Sequence, residues 1–206
     1  MATSIDPRFR GRVLAETRLP DNPAMLWALR ALLVVAGIAA LALAAKLKVP
    51  FWPVPLTMQT LVVLSIGAAY GLRLGGVTLL GYLAVGALGF DVFTGSSATS
   101  NGLAYMAGGT GGYLLGFLLA TLALGAMARA GWDRRPSRLV PALLIGEALI
   151  FVPGVLWLGY LFAADKGWSW VLEVGVVPFL PAEILKVALA ALLLPTLWRL
   201  VGRARG

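Results

Sequence analysis

Two residues near the end of the chain have the types and spacing to do chemistry. Glu183 and Lys186 stand three positions apart in the stretch Pro178-Phe179-Leu180-Pro181-Ala182-Glu183-Ile184-Leu185-Lys186, where almost everything else is hydrocarbon. On a helix, residues at i and i+3 share a face. Ionisable groups in a membrane helix cost roughly 2.5–3.5 kcal/mol each on insertion scales and mark functional sites. A carboxylate accepts hydrogen bonds and an ammonium donates them, so the pair suits a ligand presenting both N–H and C=O groups. The plainer alternative is an ion pair that locks two helices together.

The surrounding composition is that of a membrane protein. The 206 residues are 60% hydrophobic and 13% charged, against about half and a quarter in a soluble domain. The chain has no cysteine and no histidine. Thiolate chemistry, His-based acid–base catalysis and Cys/His metal sites are therefore excluded. An intramembrane serine protease would need a histidine or a placed Ser–Lys pair, and Lys186 has no adjacent serine. No G-x-x-x-x-G-K-[ST] loop is present, so the chain carries no recognisable ATP site of its own. It reads as a non-enzyme with no cofactor and no metal. The net charge of +8 follows from arginines between apolar runs, a topology signal and not a nucleic-acid one.

Six apolar runs must position the pair, at about 27–45, 56–72, 74–90, 109–130, 139–163 and 182–201. The expected fold is an all-α integral membrane bundle of six transmembrane helices, with a membrane domain over 27–201. Residues 1–26 read as a polar cytoplasmic tail, not a cleavable signal peptide, and 202–206 as a short cytoplasmic end. Pro181 fits the first turn of the last helix, which puts Glu183 in that turn and Lys186 one turn deeper. Thirteen arginines fall on the side of the termini, against Lys46, Lys48 and Lys166 on the other. Both termini are thus expected inside. Trp27 and Trp198 would then lie in an inner aromatic belt, and Trp52, Trp168 and Trp170 in an outer one.

That orientation gathers several features below the outer surface. The connection from Lys46 to Thr60 has three prolines in six residues, Pro50, Pro53 and Pro55, and cannot be a regular helix. Gln59 at its end reads as interhelical glue or a ligand contact. The loop from Asp91 to Ala107 contains Asn101 and no Lys or Arg, and suits a lid. The run Gly108-Gly109-Thr110-Gly111-Gly112 opens the fourth helix. Its N–H groups could hold a carboxylate, or its glycines could serve close packing. Glu147 lies nearer the basic connection 129–138 and is expected to pair with an arginine there. Ala36, Ala40 and Ala44 give the first helix a small-residue face.

Taken together, the residues from Lys46 through the Pro53-Val54-Pro55-Leu56-Thr57-Met58-Gln59-Thr60 run, Gly109 to Phe117, Gly154-Val155-Leu156-Trp157-Leu158, and Pro178-Phe179-Leu180-Pro181 with Lys186 resemble the biotin-specific S component (BioY type) of energy-coupling factor (ECF) transporters. The resemblance covers about 28–195. It implies a vitamin-capture subunit of the bacterial cell membrane. The implied partners are a transmembrane coupling subunit (EcfT or BioN type) and cytoplasmic ABC ATPases (EcfA or BioM type). It maps the docking face for the coupling subunit onto Ala36 and Ala40. It makes Glu183, commonly Asp in the family, and Lys186 ligands of the cyclic urea of biotin. Asn101, Gln59, Tyr82, Trp157, Tyr160, Gly109, Gly111 and Gly112 complete the expected binding set. Lys186 or the glycine N–H groups could instead take the biotin carboxylate. An S component for another vitamin, or a solitary biotin carrier, is the alternative.

Overall fold

The computed structural model describes residues 11–17, 20–49, 56–97 and 99–203. Among the described residues six α-helices follow one another: α1 (Pro23–Lys46), α2 (Gln59–Ala87), α3 (Gly102–Met106), α4 (Gly111–Arg129), α5 (Pro136–Gly175) and α6 (Leu180–Arg203). Four apolar helical segments are long enough to cross a membrane by length and composition: Pro23–Lys46, Gln59–Ala87, Gly111–Arg129 and the stretch Pro136–Val201. Two short strands, Lys48–Val49 and Leu56–Thr57, pair antiparallel and close the first connection into a hairpin. The proline-rich 50–55 between them, with Trp52, lies outside the described residues, as do residues 1–10 of the expected tail.

Local sequence sets the helix starts. Asn22 caps α1, its Oδ1 accepting from the N–H groups of Ala24 at 2.9 Å and Met25 at 3.3 Å. Pro23 follows at the first helical position, where its missing N–H is harmless.

The runs expected as a second and third span are one helix by assignment, interrupted at Gly71 with φ 75° and ψ 179°. The chain reverses there. Gln59 and Tyr82 would stand roughly 35 Å apart on a straight helix at 1.5 Å per residue, yet their side chains meet at 2.6 Å. A positive φ of this kind favours glycine. The reversal is packed from outside by Val13, which is fully buried. A second break, at Gly167 (φ 79°), folds the end of α5 back on itself, so Leu158 reaches Gly175. The fifth run, expected to end at about 163, thus continues as α5 through Asp165 and Lys166.

α4 packs between α2 and α5. Its glycines allow this: a Cβ on Gly116 would fall 2.7 Å from the Ile150 backbone. Leu64, Leu79, Leu124, Leu143 and Ile150 fill the buried centre. One end of the bundle is tied by polar contacts. Arg129 pairs with Glu16 at 2.7 Å and donates to the Gly11 carbonyl at 3.0 Å. Residues 11–17 of the expected tail thus fold onto the bundle. Trp198, expected in an aromatic belt, is buried and donates to Asp133 Oδ2 at 2.6 Å. A buried indole N–H needs an acceptor, and Asp133 in the turn before α5 supplies it.

Candidate substrate-binding site

A cavity of about 350 Å³ lies between α2, α4, α5, α6 and the segment 93–105. Small-molecule sites run roughly 300–1,000 Å³ and are mostly apolar with a few placed polar groups. This cavity fits that description. Phe93, Tyr105, Tyr113, Phe117, Phe151 and Phe179 supply aromatic walls. Polar groups gather where α2 meets α6.

There, three side chains form a closed ring. Lys186 Nζ donates to Glu183 Oε1 at 2.7 Å and to Thr60 Oγ1 at 2.8 Å. Thr60 Oγ1 in turn donates to Glu183 Oε2 at 2.7 Å. Glu183 is 6% exposed and Lys186 4%. Leu180 starts α6 and Pro181 follows in its first turn, where Glu183 also takes its place. Burying two charges is costly unless they are paired and hydrogen-bonded, and the ring meets that condition.

A second polar chain joins the 91–97 loop to α2. Gln59 Nε2 donates to Tyr82 Oη at 2.6 Å, and the Tyr82 hydroxyl donates to the Val92 carbonyl at 2.9 Å. The Thr94 hydroxyl donates to Gln59 Oε1 at 2.9 Å. Tyr105 donates to the Thr94 carbonyl. Phe93 stacks on Tyr105 with ring centres 5.3 Å apart. At the loop's outer edge Lys46 Nζ meets Asp91 Oδ1 at 2.5 Å and the Ser96 carbonyl at 3.2 Å. The Lys46 hydrogen bond, followed by that from Ser96, holds the Asp91 carboxyl below its ordinary range. The loop is thereby fastened over the cavity at both ends.

The expected binding residues divide by position. Glu183, Lys186, Gln59 and Gly109 line the cavity. Tyr82 stands behind Gln59 as its hydrogen-bond acceptor. Gly111 and Gly112 are at close helix contacts, where a Cβ would fall 2.1 Å from the Met106 carbonyl oxygen and 2.3 Å from that of Pro153. Trp157 donates to the Gly108 carbonyl at 2.8 Å and braces the start of α4. Asn101 stands at the N-terminal cap position of α3, half-buried and outside the cavity wall. Tyr160 is 80% exposed and faces away. Of the residues expected on a docking face, Ala36 is exposed and Ala40 half-exposed.

Glu147 departs from expectation. It pairs with no arginine among the described residues. It begins eleven residues after Pro136, roughly 16 Å along the helix, too deep for the basic connection to reach. The charged groups that bear on it are Glu183 and Lys186.

The BioY family model matches residues 18–203. The chain belongs to the BioY family. The biotin transporter BioY2 of Lactococcus lactis subsp. cremoris (strain MG1363) is 34% identical over 163 residues, covering 78% of this chain and 85% of the relative. The probable biotin transporter BioY of Pyrococcus horikoshii is 34% identical over 161 residues, covering 78% and 91%. The fold is similar to that of a crystal structure at 2.1 Å of the S-component for biotin from an ECF-type ABC transporter. The TM-score is 0.70 at 21% identity, with 88% of this chain and 95% of the other covered.

For a BioY-family chain, the main residue that sequence reasoning missed at this site is Thr60. Its signal was present: a hydroxyl directly after Gln59 in an otherwise apolar helix. Threonine is too common in such helices for that alone to single it out, and only the fold brings it to α6. Thr94, Tyr105 and Tyr113 escaped for the same reason.

Proposed function

We propose that this protein is the biotin-capturing S component of an ECF-type vitamin transporter. The observation that carries the reading is the Glu183–Lys186–Thr60 ring at one end of a largely aromatic cavity, in a BioY-family chain. Biotin has a neutral cyclic urea with two N–H donors and one carbonyl acceptor. Glu183 accepts from N–H and Lys186 donates its remaining N–H to C=O while Thr60 holds both in place, and charge-assisted bonds of this kind are about twice as strong as neutral ones. The sulfur ring and chain rest on Phe93, Tyr105, Phe151 and Phe179. The N–H end of α4 near Gly109 and Thr110 faces the remaining polar tail.

In this reading the Gly71 reversal divides α2 into two crossings, and α1, α4, the first part of α5 and α6 complete six. Both termini then lie in the cytoplasm, as the arginine distribution favours. The site opens to the outer side beneath the 91–105 loop, in a multi-pass protein of the bacterial cell membrane. Delivery inward is the work of a transmembrane coupling subunit and ABC ATPases, the partners that the likeness to an ECF S-component supports. The face of α1 around exposed Ala36 and half-exposed Ala40 suits docking to the coupling subunit, whereas Ala44 is buried in the bundle.

Equilibrium binding of labelled biotin to the purified chain in detergent tests the assignment, with other water-soluble vitamins as competitors. Tight binding displaced by unlabelled biotin alone is expected. A folded, monodisperse sample that does not bind biotin overturns it.

A further inference from the structure

The Glu183–Lys186 pair has a third ionisable neighbour that ligand recognition does not use. Glu147 lies on α5 one turn before Ile150 and Phe151, two residues of the cavity wall. Glu183 and Lys186 are the charged groups that act on it across the bundle. It is 9% exposed, and neither carboxylate oxygen has a hydrogen-bond partner among the described residues. A bare carboxylate so placed would carry a heavy desolvation cost.

The other groups on the packed elements are committed elsewhere. On α4, Tyr113 donates to the Gly175 carbonyl and Arg129 is held by Glu16. On α2, Tyr82 is bonded to Gln59 and Thr60 to Glu183. In the turn before α5, Asp133 accepts from Trp198, and Arg134 lies over the Trp198 ring at 4.5 Å. Arg138 on α5 and Arg199 on α6 are exposed. The cluster that remains is two carboxyl groups and one ammonium. Fully ionised it would hold one uncompensated negative charge among buried side chains, with the two carboxylates repelling. One proton between them removes the charge and turns the repulsion into a hydrogen bond. Glu183 has room for it, since each of its oxygens accepts one bond and retains a second lone pair.

We propose that Glu147 carries a proton and donates it to the Glu183 carboxylate, making Glu147 the residue that positions Glu183 for its ligand. The proton itself does not depend on what the ligand is; the positioning role rests on the biotin reading above. Glu147 touches no ligand. Its loss of the proton sets a second negative charge against Glu183 and draws Lys186 away from the cavity.

Infrared absorption of the ligand-free protein at neutral pH reads the proton directly. A protonated-carboxyl C=O band is expected in the wild type, lost in E147Q and kept in D133N. E147N serves as a second neutral variant, and either one that remains monodisperse decides. Absence of the band in the wild type, or its survival in the Glu147 variants, overturns the proposal. Labelled-biotin binding against pH is the second arm. Wild-type affinity should fall about tenfold or more at alkaline pH, the effect of one charge at 4–6 Å, while E147Q binds as the wild type does at neutral pH and stays flat. Identical alkaline profiles in the two proteins would refute the positioning role. A wild type that shows the band yet binds biotin at no pH would leave the proton standing and remove the biotin assignment.

Discussion

Thr60 and Glu183, 123 positions apart in sequence, are joined by a buried hydrogen bond of 2.7 Å that ties α2 to the first turn of α6. Thr60 also accepts from Lys186, so one hydroxyl fixes both charged groups. Thr60→Val keeps the shape and removes the hydroxyl. Hydrogen bonds to charged groups contribute roughly 1.5–3 kcal/mol, so biotin affinity should weaken by about tenfold or more. Isothermal titration calorimetry on the purified variant reads this; unchanged affinity would exclude Thr60 from the site.

Removing Lys186 alone confounds two effects. Breaking a buried pair leaves an unpaired charge and costs roughly 3–5 kcal/mol. The double variant E183Q/K186M takes away both charges together and should retain a thermal midpoint close to that of the wild type. Its biotin binding should be lost. A double variant that binds normally would show that the charged pair serves structure alone.

How much of this was legible in the sequence follows from the range of each interaction. Glu183 and Lys186 share one helix turn, so their spacing announced them. α1 starts at Pro23 behind the Asn22 cap, four residues before the apolar run at about 27 that hydropathy alone picks out. The break at Gly71 falls where the second and third apolar runs separate in the sequence, whereas the one at Gly167 left only a glycine as a trace, and glycine is common in such helices. Glu147 was read by its nearness to arginines along the chain, whereas the depth of α5 in the bundle decides its neighbours. Thr60, Thr94 and Tyr105 reach the cavity by long-range packing, which no local pattern encodes. Trp198 was read as a belt residue because tryptophan favours interfaces, but Asp133 offers its N–H a buried acceptor.

Gly71 carries the reversal at φ 75°, with Val13 side-chain atoms 3.0–3.1 Å from where a Cβ would sit. Gly71→Ala should therefore lower stability by about 1–3 kcal/mol. Thermal unfolding in detergent measures it. Equal midpoints for variant and wild type would mean that the turn tolerates a side chain.

The exposed side of α1 bears Leu32, Val35, Ala36 and Leu43. Large aliphatics flank a shallow step at Ala36, where a second helix could approach closely. Ala36→Arg should abolish copurification with a coupling subunit while leaving biotin binding in detergent unchanged. Wild-type recovery of the subunit with the variant would move the docking face elsewhere.

Asp133 gives a pH dependence with a definite sign. Burial raises its carboxyl from the ordinary 3.8 to about 6, against the opposing pull of the Trp198 hydrogen bond and of Arg134. The folded state therefore holds the proton more tightly than the unfolded chain. The stabilisation this gives is complete below about pH 3.8 and is lost as pH rises through about 6. The two values differ by enough for a contribution on the order of 3 kcal/mol. Asp133→Asn keeps a carbonyl to accept from Trp198 and cannot ionise. The thermal midpoint of the wild type should fall relative to that of D133N across this window, whatever other groups titrate in both. Midpoints that run parallel from acid to neutral pH would mean that Asp133 is as well solvated in the fold as in the unfolded chain.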